Sequence, residues 1–149
     1  MARQKAVPRD WKTYEVYQRD DAGNHTLTPF SLALAGGSGG LPTQAITKMR
    51  MVQEIGWPEA KRQLKDDFNR PLIVKKDDFI WLLKCKPSCW RLYFYVWEKN
   101  EKEGGLVYVH AVCKKADEED PGDAACARRI HDEIGPGRSA ITFFDFPVG

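Results

Sequence analysis

No apolar run in this 149-residue chain reaches membrane-spanning length; the longest are broken by Lys, Arg or Pro within about ten residues. The start, MARQKAVPRDWK, has a basic flank but no apolar segment behind it, so it does not read as a secretory signal. A cytoplasmic protein with no membrane partner is expected, and its four cysteines (Cys85, Cys89, Cys113, Cys126) are expected as reduced, packed thiols. They also lack metal-site spacing. CKPSC is not a CxxC pair, and Cys113 and Cys126 have no partner at a zinc-like interval, so no metal is expected. A Ser-His-Asp order and a paired-carboxylate site are missing too. The run GGSGG at 36–40 is without the Lys-Ser/Thr of a phosphate loop and reads as a linker, so no cofactor is expected. Bulk charge of one sign is likewise lacking. With 23 basic and 21 acidic residues the net charge is +2, which does not suit a protein that coats nucleic acid indiscriminately.

The charge is instead unevenly placed. From Ile80 to Lys115 there are seven Lys or Arg against three Glu, while Ala116 to Asp123 carries five acids and no base. The first of these stretches is also the most β-prone part of the chain, rich in Trp, Tyr, Phe and Val. It reads as three consecutive strands, Ile80 to Lys86, Arg91 to Glu98 and Leu106 to Lys114, with turns at Pro87-Ser88 and at Asn100 to Gly105. A sheet that gathers Lys84, Lys86, Arg91, Lys114 and Lys115 near strand ends offers a positive face to something anionic and specific.

The rest of the chain supplies what such a sheet needs to be covered. Residues 1–10 read as a loose arm, and Trp11 to Arg19 alternates as a first strand. Thr28 to Ala35 reads as a short helix with Thr28 as cap. Pro42 to Ile55 is amphipathic, with Ala45, Met49, Val52 and Ile55 on one stripe and Gly56 placed to close it. Pro58 opens a second helix predicted to run to Phe68, with Ala60, Leu64 and Phe68 at four-residue spacing as core. Together the two helices form a hairpin. Leu72 to Val74 fits a short edge segment. Asp120-Pro121 starts a helix through Ile134 whose apolar side is Ala127, Ile130 and Ile134. Residues 135–149 form a C-terminal extension in which Ser139 to Phe146 is a last strand or an extended tail. His25 and His131 read as surface residues. The fold class is therefore α+β: one domain over residues 1–149, with an N-terminal strand, a helical hairpin, a mixed sheet built on a three-stranded antiparallel meander, and a C-terminal helix.

That order of elements resembles the RelE/ParE superfamily of bacterial and phage toxins, and is most similar to its phage-type, HigB-like branch. The residues that carry the resemblance are NRPL at Asn69 to Leu72, IWLLK at Ile80 to Lys84, WRLYF at Trp90 to Phe94, LVYVHAVCKK at Leu106 to Lys115 and EDPGDAACARR at Glu119 to Arg129. Leu82 stands where the family often has Glu, and Lys84 where it usually has Arg. The resemblance implies a RelE-like fold and the toxin of a type II toxin-antitoxin system: a ribosome-dependent mRNA endoribonuclease that works without metal or other cofactor. Its partners would be mRNA on the ribosome and a cognate antitoxin of helix-turn-helix type.

Metal-free RNA cleavage uses the neighbouring 2′-OH as nucleophile. The protein must then move two protons and neutralise the charge gathering on phosphorus. Arg91 is the expected phosphate clamp. Lys84 and Lys86, two apart and hence on one face of a strand, are the expected proton-transfer or charge-stabilising groups. His110 is a candidate general acid, and Lys114 and Lys115 are candidate RNA-backbone contacts. Two other readings share the fold: a ParE-like gyrase poison, and a small RNA- or protein-binding module without catalysis.

Overall fold

The structure, a computed structural model, describes residues 9–19, 25–28, 30, 43–86, 88–113, 121–134, 139–144 and 146. Of the arm expected at 1–10, residues 1–8 lie outside the described residues, as do the GGSGG run and most of the short helix expected at 28–35, while Arg9 is held through its Nε by the Asn100 carbonyl at 3.0 Å.

The meander forms as its composition demands. Strands β4 (Ile80–Lys84), β5 (Trp90–Trp97) and β6 (Glu103–Cys113) pair antiparallel in sequence order. Strand β3 (Ile73–Lys75) adds antiparallel to the outer edge of β4. On the other side β1 (Asp10–Arg19) lies parallel to β6, from Asp10 against Glu103 to Glu15 against Tyr108. A parallel neighbour needs a crossover. Here the chain between β1 and β3 supplies it, carrying helices α1 (Thr43–Ile55) and α2 (Glu59–Gln63). The far end of β1 pairs antiparallel with β2 (His25–Leu27) and with β7 (Ser139–Phe143), so the tail is a true strand of this sheet. The result is one seven-stranded, mostly antiparallel α+β sheet.

Each face of the sheet has its own core. On one, Ala45, Met49 and Val52 of α1 are fully buried with Ala60 of α2 against Leu83, Leu92, Phe94, Leu106 and Tyr108. The expected stripe on α1 is thus the one that packs, and the Gly56 amide closes the helix on the Val52 carbonyl at 2.9 Å with φ +84°. The other face is covered by α3 (Pro121–Asp132), whose Ala127 and Ile130 meet Tyr14, Val16, Ile80, Leu82, Tyr93 and Val107. His131 is not a plain surface residue: Phe79 stacks on its ring at 4.9 Å and Tyr95 meets it edge-on at 4.7 Å.

The Trp11 ring lies so close over Gly104, its register partner, that a Cβ there would sit 2.4 Å from the ring. Gly104→Ala should therefore destabilise the fold by about 1–3 kcal/mol through overpacking, read as a lowered thermal midpoint.

Two expectations need correction. The second helix does not reach Phe68; it stops at Leu64, whose backbone is extended at φ −80°, ψ 111°. The residues after it satisfy their amides from a side chain instead, since Asp66 accepts from the backbone N–H of Phe68 and of Arg70. Phe68 consequently leaves the core and is 78% exposed. Strand β4 also ends two residues early, at Lys84. Lys86 belongs to the turn, where the Ser88 amide bonds the Cys85 carbonyl at 2.9 Å, so Lys84 and Lys86 do not share a strand face.

Candidate functional site: a basic cleft at the end of the meander

Where β4 leaves the sheet and β5 enters it, the turn faces the loop that follows α2, and a cleft of about 660 Å³ opens between them. Its cations come from four separate parts of the chain. Lys48 projects from α1, Lys65 and Arg70 from the loop after α2, Lys86 from the β4–β5 turn, and Arg91 from the first residues of β5. Against these five bases the lining holds two acids, Asp66 and Asp67.

Asp66 organises this wall. Its side chain is only 8% exposed, and Oδ2 meets the Arg70 Nε at 2.9 Å and the Lys86 Nζ at 3.8 Å. The Arg70 backbone amide above all, then the Phe68 amide and the Arg70 guanidinium, hold its carboxyl below the ordinary aspartate range. The loop closes on itself as well. The Asp66 amide bonds the Arg70 carbonyl, Lys65 bridges to Pro71, and Asn69 takes φ +64° at the tip. Because folding lowers this pKa, the order Asp66 imposes is complete above the ordinary aspartate value and is lost as pH falls through the lower folded value. Asp66→Asn should remove the charge that holds Arg70 and Lys86. The expected outcome is faster hydrogen exchange at the Phe68 and Arg70 amides at neutral pH, with the sheet amides unchanged.

Arg91 is the buried cation of the site, at 9% exposure, with its Nη1 donating to the Trp90 carbonyl at 3.2 Å. Below it lies Cys85, whose thiol burial pushes up to about 12 against the opposing pull of Arg91 and Lys48. The thiol therefore stays neutral and leaves the positive charge above it undiminished.

Of the expected site residues, Lys86 and Arg91 meet in the cleft. Lys84 stands directly opposite Arg91 in the β4–β5 ladder, on the face that α3 covers. His110 reaches that face through an irregularity. Tyr93 pairs with His110 but Phe94 pairs with Tyr108, which leaves Val109 as an extra residue. Strict alternation after Val107 and Val109 would have turned His110 toward α1; the bulge turns it toward α3, where Nε2 meets the Asp123 Oδ1 at 2.9 Å. The imidazole is 8% exposed and does not line the cleft. As a free general acid for the cleft, His110 is therefore corrected to a residue engaged by Asp123. Lys114 and Lys115 lie outside the described residues.

The expectation of reduced thiols is overturned at two positions. Cys89, at the cleft rim, is disulfide-bonded to Cys113 at the end of β6, with Cα atoms 4.9 Å apart. The ladder explains why: Trp90 is paired with Cys113, so Cys89 enters β5 beside it. Cys85 and Cys126 remain thiols. Lys48, Lys65, Arg70 and Phe68 were not legible as site residues, although the turn formers Asp66, Asp67, Asn69 and Pro71 were signal enough to end a helix before Phe68.

Among the described residues no group of His, Cys, Asp or Glu is arranged to hold a metal ion, and no helix is long and apolar enough to cross a membrane. In comparisons with known proteins, no protein-family model matches the chain, and no curated protein matches it.

Proposed function

We propose that this chain is the toxin of a type II toxin-antitoxin pair, of RelE-like fold, and acts in the cytoplasm as a ribosome-dependent mRNA endoribonuclease. The observation that carries the reading is the convergence of five basic side chains, Arg91 among them, on one cleft at the end of an aromatic-rich meander. Such a cleft suits a phosphate chain threaded past the sheet edge. In the proposed reaction the 2′-oxygen attacks the adjacent phosphorus and the bond to the 5′-oxygen breaks, leaving a 2′,3′-cyclic phosphate and a 5′-hydroxyl. Arg91 neutralises the charge on the phosphorane with its fork of donors. With His110 engaged by Asp123 and Lys84 on the face that α3 covers, proton transfer within the cleft falls to Lys86, which removes the 2′-proton while water protonates the 5′-oxygen. The partner expected to silence the activity is a helix-turn-helix antitoxin.

Of the other readings, gyrase poisoning calls for a long helical hairpin, and α2 spans only Glu59–Gln63. An RNA-binding module without catalysis is the stronger rival, since the one imidazole of the meander is turned away from the cleft.

The test is induced expression in a bacterial host with primer extension on a reporter message. Growth arrest with cuts confined to translated message is the expected result. Arrest with intact message and damaged DNA topology would favour the gyrase reading. No arrest would leave the non-catalytic module.

A further inference from the structure

We infer that Phe68 is a stacking platform for an unpaired nucleobase, so that the cleft takes single-stranded RNA by one base as well as by its phosphates. The inference rests on the cleft being an RNA site and adds the contact that would tell a nucleic acid from other polyanions. Three large apolar side chains are exposed among the described residues: Phe68 at 78%, Phe143 at 61% and Phe79 at 46%. Phe79 stacks on His131 and Phe143 packs on Tyr14 at 5.0 Å. Phe68 packs on no other ring among the described residues. Its neighbour is a cation, the Arg70 guanidinium 5.2 Å from the ring centre.

The ring is also held in place. Asp66 fixes the loop by accepting the Phe68 amide at 2.8 Å and the Arg70 amide at 2.9 Å, and its carboxylate anchors Arg70 and Lys86 on the same wall. An exposed ring on a loop ordered in this way loses little freedom when a flat partner covers it. Lys65, Arg70 and Lys86 stand around it to take the phosphates on either side of that base. Stacking on an aromatic needs a base whose face is free, which a duplex does not offer and a single strand does.

The probes are two short single strands with a 2′-O-methyl backbone, which cannot be cleaved by 2′-OH attack. One carries bases; the other is abasic throughout and bears the same charge. Binding is followed by fluorescence anisotropy at fixed salt for the wild type, Phe68→Ala, Phe68→Trp and Lys86→Ala. Phe68→Ala should weaken the base-bearing strand roughly tenfold or more and leave the abasic strand unchanged, while Phe68→Trp binds at least as well as the wild type. Lys86→Ala should weaken both strands and flatten the salt dependence. If Phe68→Ala binds the base-bearing strand like the wild type while Lys86→Ala does not, the stacking role is wrong and the RNA cleft stands. Equal weakening of both strands by Phe68→Ala would assign it to holding the loop and would also overturn the inference. If the wild type binds neither strand, the stacking role is wrong, while cleavage of message on the ribosome decides the RNA cleft separately.

Discussion

Lys86→Ala combined with Arg91→Ala should abolish growth arrest on induction and remove every cut from the reporter message. The magnitude follows from where the two cations sit. A preorganised group aimed at charge that develops in the transition state is worth on the order of 10²–10³ in rate, and both residues line the same cleft from opposite ends of one turn. The single variants separate their contributions. Lys86 is partly exposed and bonded to Asp66 at 3.8 Å, so its truncation should leave the thermal midpoint near that of the wild type while slowing cleavage. Arg91 is 9% exposed, and its removal disturbs packing as well as charge. Arg91→Lys is therefore the informative companion, because it keeps the charge and loses the planar fork. It should fold like the wild type and cleave more slowly. A double variant that folds, still arrests growth and still cuts message would remove this cleft from the mechanism.

Reduction of the Cys89–Cys113 bond should lower stability by about 3.5 kcal/mol, the loop-closure value for this span. The bonded residues are 24 apart in sequence and enclose all of β5 and most of β6. The thermal midpoint should fall by roughly 5–12 °C in reductant, and Cys89→Ser/Cys113→Ser should show the lowered value with or without it. The cleft itself should persist, because the ladder pairs Trp90 with Cys113 through the backbone. Cleavage by the reduced protein at a temperature well below its midpoint should thus be preserved, as the proposed activity in a reducing cytoplasm requires. A midpoint indifferent to reductant would mean that the two thiols are not joined.

What the sequence made legible were the parts decided locally. The meander announced itself through β-branched and aromatic runs broken by turn formers, and α1 through a stripe at Ala45, Met49 and Val52 that the structure buries completely. Arg91 and Lys86 could be placed together because one short turn joins their strands. What escaped were features decided by register or by a single side chain. A four-residue spacing carried the second helix on to Phe68, yet Asp66 had a better use for those amides than the helix did. The Val109 bulge reversed the facing of His110, which no periodicity in LVYVHAV reveals. Lys48, Lys65 and Arg70 reach the cleft only through the packing of α1 and the loop after α2 against the end of the sheet. Cys89 and Cys113 meet only because β5 and β6 pair in one register.

The most direct measurement is to incubate the purified protein with a ribosome stalled on a defined message and to identify the ends of whatever RNA results. Cleavage at the A-site codon, leaving a 2′,3′-cyclic phosphate and a 5′-hydroxyl, is the expected result, with no product from the Lys86→Ala/Arg91→Ala variant. An intact message on the ribosome, or ends bearing a 3′-hydroxyl and a 5′-phosphate, would contradict it.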